Sequence, residues 1–211
     1  MTGELQSTGK NNNEEWWQSV MNLPNKITMI RIIATPVFLF FLVPGWFGQF
    51  LGLDNWGRYA ATVIFVLAAL TDMIDGKIAR KYKLVSELGK FLDPIADKLL
   101  VTSALIAFLW TDPEKISVWA VFIIVAREFI VSGLRLVAAA QGVVIAADKL
   151  GKLKTVVQIA AIVVILINDF PFSLITTISV GKILMDLAVI LTIVSGINYM
   201  QKNFRILVPQ K

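Results

Sequence analysis

Six apolar stretches limit what this chain can fold into more than any other feature. They run roughly over 27–43, 58–76, 90–110, 116–138, 153–168 and 180–200. Each approaches the roughly 20 residues that a helix needs to cross a hydrocarbon core about 30 Å thick. The first reads ITMIRIIATPVFLFFLV. Over 211 residues the chain is 56% hydrophobic and only 17% charged, with a mean hydropathy of +0.71. An average soluble domain is about 45–50% apolar and about 25% charged, so a soluble helical core does not account for this composition. Turn signals separate the stretches at Pro44-Gly45, Gly52, Gly57, Asp112-Pro113, Gly142, Asn168-Asp169 and Pro171. The expected fold is an all-α integral membrane protein with six transmembrane helices. Residues 21–211 form its single domain, behind a polar leader at 1–20. In the leader, Glu14-Glu15-Trp16-Trp17 runs into Val20-Met21 and Leu23, a pattern for an N-terminal interfacial segment or a disordered lead-in. It has no apolar centre and does not read as a signal peptide.

Basic residues orient the spans. Lys77, Arg80, Lys81, Lys83 and Lys90 lie between the second and third stretches, and Lys149, Lys152 and Lys154 between the fourth and fifth. Lys202, Arg205 and Lys211 follow the sixth, while the opposite connections hold little beyond Arg58, Lys115 and Lys182. The positive-inside rule then puts both termini and the basic loops on the cytoplasmic side of a multi-pass membrane protein.

The chain has no cysteine and no histidine, which excludes disulfides, thiol nucleophiles, histidine bases and almost any zinc or haem site. Chemistry is left to carboxylates, Lys and Arg, hydroxyls and hard cations. The net charge of +5 suits an anionic membrane face or phosphate-bearing ligands. Nucleic acid fits poorly, because the basic residues are interleaved with spans rather than gathered on one module.

The informative stretch is DMIDGKIARKYKLVSELGKFLDPIAD, from Asp72 to Asp97. Asp72 and Asp75 close the second span, and Asp93 and Asp97 open the third. At spacings of three and four, each pair shares a helix face with Cβ atoms about 5–6 Å apart. An aspartate at mid-bilayer costs about 2.5–3.5 kcal/mol, and four would also repel one another. Two divalent cations turn that repulsion into coordination, and oxygen-only ligands select Mg²⁺, Mn²⁺ or Ca²⁺. Singly, each aspartate is equally a helix cap or a wet helix rim; the matched pairs argue for a site. Gly76 and Ala79 lie past Asp72 and Gly89 lies before Asp93, where small residues clear a ligand's approach or simply serve helix packing. Arg80 suits a diphosphate, because a guanidinium binds phosphate through paired hydrogen bonds.

Asp72-x2-Asp75-Gly76-x2-Ala79-Arg80-x8-Gly89-x3-Asp93-x3-Asp97 resembles the signature of the CDP-alcohol phosphotransferase family. The resemblance implies a six-helix membrane enzyme, usually a homodimer, that moves a phosphatidyl or similar group from a CDP-linked donor to an alcohol and releases CMP. It implies two divalent cations, Mg²⁺ or Mn²⁺, with Asp72 and Asp93 bridging both, Asp75 completing one and Asp97 the other. Asp97 would also be the base that takes the acceptor's proton. Gly76, Arg80 and Ser86, with Asn25, Thr28, Ala79 and Gly89, would contact the CDP-diacylglycerol donor.

Three further segments resemble the bacterial members of the family that use glycerol 3-phosphate as acceptor. They are Asn22 to Arg31, Ala126-Arg127-Glu128-Phe129 through Gly133-Leu134-Arg135, and Leu150-Gly151-Lys152-Leu153-Lys154-Thr155. The resemblance thus spans about 21–200. Arg127, Arg135, Lys152 and Lys154 would form a cationic pocket for the phosphate of glycerol 3-phosphate, a dianion that free glycerol, serine and inositol lack. Geometry is demanding, since Arg127 and Arg135 lie about 80° apart around a helix and about 12 Å along it. Lys152 and Lys154 point apart on a regular helix. Arg127 has Glu128 as an alternative partner, and the lysines have topological anchoring as an alternative role. Two rival functions stay open: a different acceptor, such as inositol phosphate or serine, and a divalent-cation transporter, in which Arg80 would have no task.

Overall fold

The computed structural model describes residues 23–43, 52, 56–82, 87–143, 145 and 148–203; for 23–24, 72–82, 87–94 and 97 it describes the backbone alone. Among these residues are six α-helices, a single 3₁₀ turn at Phe172–Leu174 and no strand. The helices are α1 (Leu23–Leu42), α2 (Gly57–Tyr82), α3 (Glu87–Thr111), α4 (Val118–Ala140), α5 (Lys149–Leu166) and α6 (Val180–Asn203). Each apolar stretch read from the sequence coincides, within a few residues, with one helix. The exception in length is α2, which runs on to Tyr82 and carries the first aspartate pair well inside a helix. The leader at 1–20 lies outside the described residues. Among the described residues, two segments are by length and composition long and apolar enough to cross a membrane, Asn25–Leu42 and Val180–Asn203.

Seams of small residues let the helices approach. On α2, Gly57, Ala61, Phe65 and Ala68 share the buried face, and Phe65 meets Phe38 of α1 with ring centroids 5.7 Å apart. On α6, Gly181, Met185, Ala188, Thr192, Ser195 and Tyr199 are buried. Their alternating spacing of four and three is that of a left-handed helix seam. A Cβ at Gly181 would lie 2.7 Å from the Ile165 side chain of α5, so glycine is what brings α5 and α6 together there. The outer surface is apolar: Ile33, Val63, Trp110, Phe122, Leu136 and Ile190 are all exposed. A soluble monomer rarely exposes apolar patches beyond a few hundred Å², so this exterior suits lipid.

One end of the bundle is tied by a polar clasp. Arg58, at the start of α2, donates to Asp112 Oδ1 at 2.6 Å and to the last carbonyls of α5, those of Ile165 at 2.9 Å and Leu166 at 3.1 Å. Lys115 Nζ lies 3.6 Å from Asp112 and 3.1 Å from Asp169. Asp169 caps α6, accepting from the Gly181 N–H at 2.5 Å and the Ser179 hydroxyl at 2.9 Å. Its backbone is left-handed, with φ of 59°, after Asn168 at 54°, a conformation that Asn and Asp tolerate better than most residues.

Burial alone would raise the Asp169 carboxyl, but hydrogen bonds from Gly181, Lys115 and Ser179, with the Lys115 charge, outweigh it and hold the group below its usual range. A carboxylate depressed by folding stabilises the fold fully above its unfolded value, about 3.9, and loses that effect as pH falls through the folded value. Asp169→Ala should therefore lower the unfolding temperature of the detergent-solubilised protein at pH 7. The gap from the parent should shrink between pH 4 and pH 3; a gap that is unchanged at pH 3 would assign the effect to shape rather than charge.

Candidate active site

Interior-facing residues change from apolar to polar along the helices, and the polar parts meet at the end opposite the clasp. The buried stripe of α1 reads Asn25, Thr28, Arg31 and Thr35 before Phe38 and Leu42. On α5, Lys154 and Gln158 precede Ala161, Ile162 and Ile165. On α6 the order reverses with chain direction, and Met185 and Ala188 precede Thr192, Ser195 and Tyr199. The backbone of both aspartate pairs lies toward the same end. Asp72 lies ten residues before the end of α2, and Asp97 ten residues after the start of α3; Asp75 and Asp93 lie seven before and six after. At 1.5 Å per residue, both pairs sit roughly 9–15 Å back from the connection that joins the two helices.

At this polar end is a cavity of about 290 Å³. Arg31 of α1, Lys98 of α3, Glu128 and Arg135 of α4, and Lys154 and Gln158 of α5 line it, with Leu105 and Ile124 among its apolar walls. Among the described side chains, Arg31, Lys98, Arg135 and Lys154 share these walls with Glu128. In a low-dielectric wall such charges act on an anion far more strongly than the same charges would in water.

Glu128 organises the charges. Its Oε1 accepts from Lys154 Nζ at 2.7 Å and from Arg127 Nη1 at 3.0 Å. Lys154 is 2% exposed, and a buried ammonium persists only when paired. Arg127 continues the network to α6, donating to Ser195 Oγ at 3.3 Å, and Ser195 donates to the Thr192 carbonyl at 3.2 Å. Gly151 and Gly196 flank it: a Cβ at either would come within 3.4 Å and 3.2 Å of the Arg127 side chain. Arg135 is held by Tyr199, with Nε to the phenol oxygen at 3.0 Å and the guanidinium carbon 5.4 Å from the ring centroid.

Of the four residues expected around an acceptor phosphate, the structure brings Arg135 and Lys154 to one cavity. Arg127 instead reaches Glu128 and Ser195 and borders an apolar groove between α4 and α6. Lys152 is exposed: α5 starts as a helix at Lys149, so residues two apart point to different sides. Asn25 and Thr28 are buried on the Arg31 stripe of α1. The side chains of Asp72, Asp75, Asp93 and Asp97, and those of Gly76, Ala79, Arg80 and Gly89, lie outside the described residues, although α2 and α3 carry their backbone. Ser86 lies outside entirely. Among the described residues no cluster of three Asp, Glu, His or Cys occurs; the four aspartates, whose side chains lie outside them, are an all-oxygen donor set that fits a hard cation. Sequence reasoning did not single out Arg31, Lys98, Glu128 or Gln158 as site residues. The available signal was a polar side chain within an apolar run, which by itself marks function in a membrane helix.

Residues 21–194 match the profile of the CDP-alcohol phosphatidyltransferase family. The chain is 40% identical over 200 residues to the CDP-diacylglycerol–glycerol-3-phosphate 3-phosphatidyltransferase of Bacillus subtilis, covering 89% of this chain and 98% of that one. It is 39% identical over 178 residues to the protein of that name from Rickettsia typhi, covering 84% and 94%. To a CDP-diacylglycerol–glycerol-3-phosphate 3-phosphatidyltransferase 2 of Arabidopsis thaliana it is 38% identical over 206 residues, covering 90% and 83%. The chain belongs to the CDP-alcohol phosphatidyltransferase family.

Breaking a buried ion pair from one side costs about 3–5 kcal/mol, whereas replacing both partners by neutral groups is often near neutral. Glu128→Ala should therefore lower thermal stability in detergent clearly, and adding Lys154→Met should recover part of the loss, Arg127 keeping only its bond to Ser195. Additive losses in the double variant would show that the pair is not coupled.

Proposed function

We propose that this enzyme transfers the phosphatidyl group of CDP-diacylglycerol to glycerol 3-phosphate, giving phosphatidylglycerol phosphate and CMP in phospholipid synthesis. The observation that carries the acceptor is the cavity that brings Arg135 and Lys154 together beside Lys98, the neighbour of Asp97. Relatives about 40% identical over most of their length, named for this reaction, support it. An acceptor with its own phosphate has a partner in such a cavity; serine and free glycerol do not.

In this reading Asp72, Asp75, Asp93 and Asp97 hold two divalent cations, Mg²⁺ or Mn²⁺, which when bound screen the donor diphosphate and the leaving CMP. Gly76, Ala79 and Gly89 leave the donor room, and Arg80, Ser86, Asn25 and Thr28 hydrogen-bond it. Arg135 and Lys154, with Arg31 and Lys98, hold the acceptor phosphate, so that its free primary hydroxyl is presented toward Asp97. Asp97 takes the hydroxyl proton as the oxygen attacks the phosphatidyl phosphorus; an ordinary aspartate is too weak a base to do so earlier, so transfer is concerted with attack. Arg127 and Glu128 orient Lys154. The reading includes six spans, both termini and the site on the cytoplasmic side, and a homodimer. The skewed distribution of Lys and Arg and the apolar exterior support this placement.

The test is CMP release from CDP-diacylglycerol by the purified enzyme with a panel of alcohols. Glycerol 3-phosphate should support turnover in the presence of Mg²⁺ or Mn²⁺, and glycerol, serine and inositol should not; equal rates with glycerol would overturn the acceptor assignment. A charge-assisted hydrogen bond is worth about 1.5–3 kcal/mol, so Lys154→Met or Arg135→Met should each lower kcat/KM for glycerol 3-phosphate roughly tenfold to a hundredfold. Neither should alter saturation by the donor. By contrast, Asp72→Asn, Asp93→Asn and Asp97→Asn should each abolish turnover while leaving membrane insertion intact, which a membrane-fraction immunoblot checks. Donor binding should survive better in Asp97→Asn than in Asp72→Asn.

A further inference from the structure

Gln158 is the one neutral amide lining the cavity among the residues described there. It is 2% exposed, and its Nε2 has no hydrogen-bond partner among the described residues. It sits one turn after Lys154 on the same face of α5, so the two side chains enter the cavity side by side. The site reading above already gives the acceptor's phosphate the cations and its attacking hydroxyl Asp97. Neither task suits an uncharged amide, which cannot neutralise a dianion or take a proton. We infer that Gln158 sets acceptor specificity by donating a hydrogen bond to the secondary hydroxyl of the phosphorylated alcohol. This rests on the proposed reaction, since it assigns the acceptor group that the cations and Asp97 leave over. A buried donor built to meet a hydroxyl penalises an analogue that lacks it, because the donor is then left unpaired inside the closed site.

The test compares glycerol 3-phosphate with 3-hydroxypropyl phosphate, which keeps the phosphate and the primary hydroxyl and lacks the secondary one. CMP release is measured with purified full-length enzyme, CDP-diacylglycerol and Mg²⁺. The parent should favour glycerol 3-phosphate in kcat/KM by about tenfold or more, the scale of one lost hydrogen bond in a dry site. Gln158→Met, close in volume and without a donor, should bring the ratio near one by slowing glycerol 3-phosphate and leaving the deoxy acceptor almost unchanged. Equal use of both acceptors by the parent would overturn the inference. So would a parental ratio retained in Gln158→Met at any absolute rate, because a packing role slows both acceptors alike. If Gln158→Met does not fold, Gln158→Asn, with the donor on a shorter arm, decides: a reduced ratio supports the role and a parental one overturns it. A parent that releases no CMP with either acceptor would instead sink the reaction itself, a different failure.

Discussion

Charge inside an apolar bundle has to be paired, and the shared carboxylate of Glu128 is where this chain does it. One oxygen accepts from Lys154 at 2.7 Å and from Arg127 at 3.0 Å. The pair joins α4 to α5, and Arg127 extends it to Ser195 on α6. Without Glu128, Lys154 would be a buried ammonium beside other cations, a state that costs several kcal/mol. With it, Lys154 is buried and still paired.

The same constraint explains the lengthwise division of the molecule. The Phe38, Phe65 and Phe108 core is fully buried and supplies apolar burial through the middle of the bundle. The Arg58–Asp112–Lys115–Asp169 clasp satisfies helix ends at one extremity by local hydrogen bonds. Buried polar residues such as Asn25, Thr28, Arg31, Lys154, Gln158 and Ser195 gather toward the other extremity. A reaction between a lipid-anchored donor and a water-soluble phosphate needs such an arrangement. In the proposed reading the donor's tails stay with the apolar exterior while the charged acceptor enters the cavity.

Helix number and extent were readable because about 20 apolar residues in a row allow few alternatives, and turn residues such as Asn168-Asp169 mark the breaks. The reading of α5 shows both the reach and the edge of such reasoning. Helical geometry said that Lys152 and Lys154 diverge, and the regular start of α5 sends one outward and one inward. Which of the two is buried depends on where α4 and α6 pack, and that is tertiary information. Arg127 and Arg135 behave alike: their spacing separated them, but only the placement of Ser195 and Tyr199 assigns each a partner. Gln158 was the least legible, because an amide one turn past a lysine has no periodic or charge signal until α5 is seen to face the cavity. The aspartate pairs were the reverse, clear from spacing alone, with side chains beyond the described residues.

The central claim is that the polar end of the bundle recognises a phosphate on a small alcohol. Ligand-induced thermal stabilisation in detergent, with a chelator present so that divalent cations contribute nothing, tests it without turnover. A ligand at a hundred times its dissociation constant stabilises a protein by about 2.7 kcal/mol, a readily measured shift in unfolding temperature. Glycerol 3-phosphate should raise that temperature in low salt, glycerol at the same concentration should not, and added salt should erode the effect. An equal shift with glycerol, or no shift with glycerol 3-phosphate at any concentration, would contradict the account.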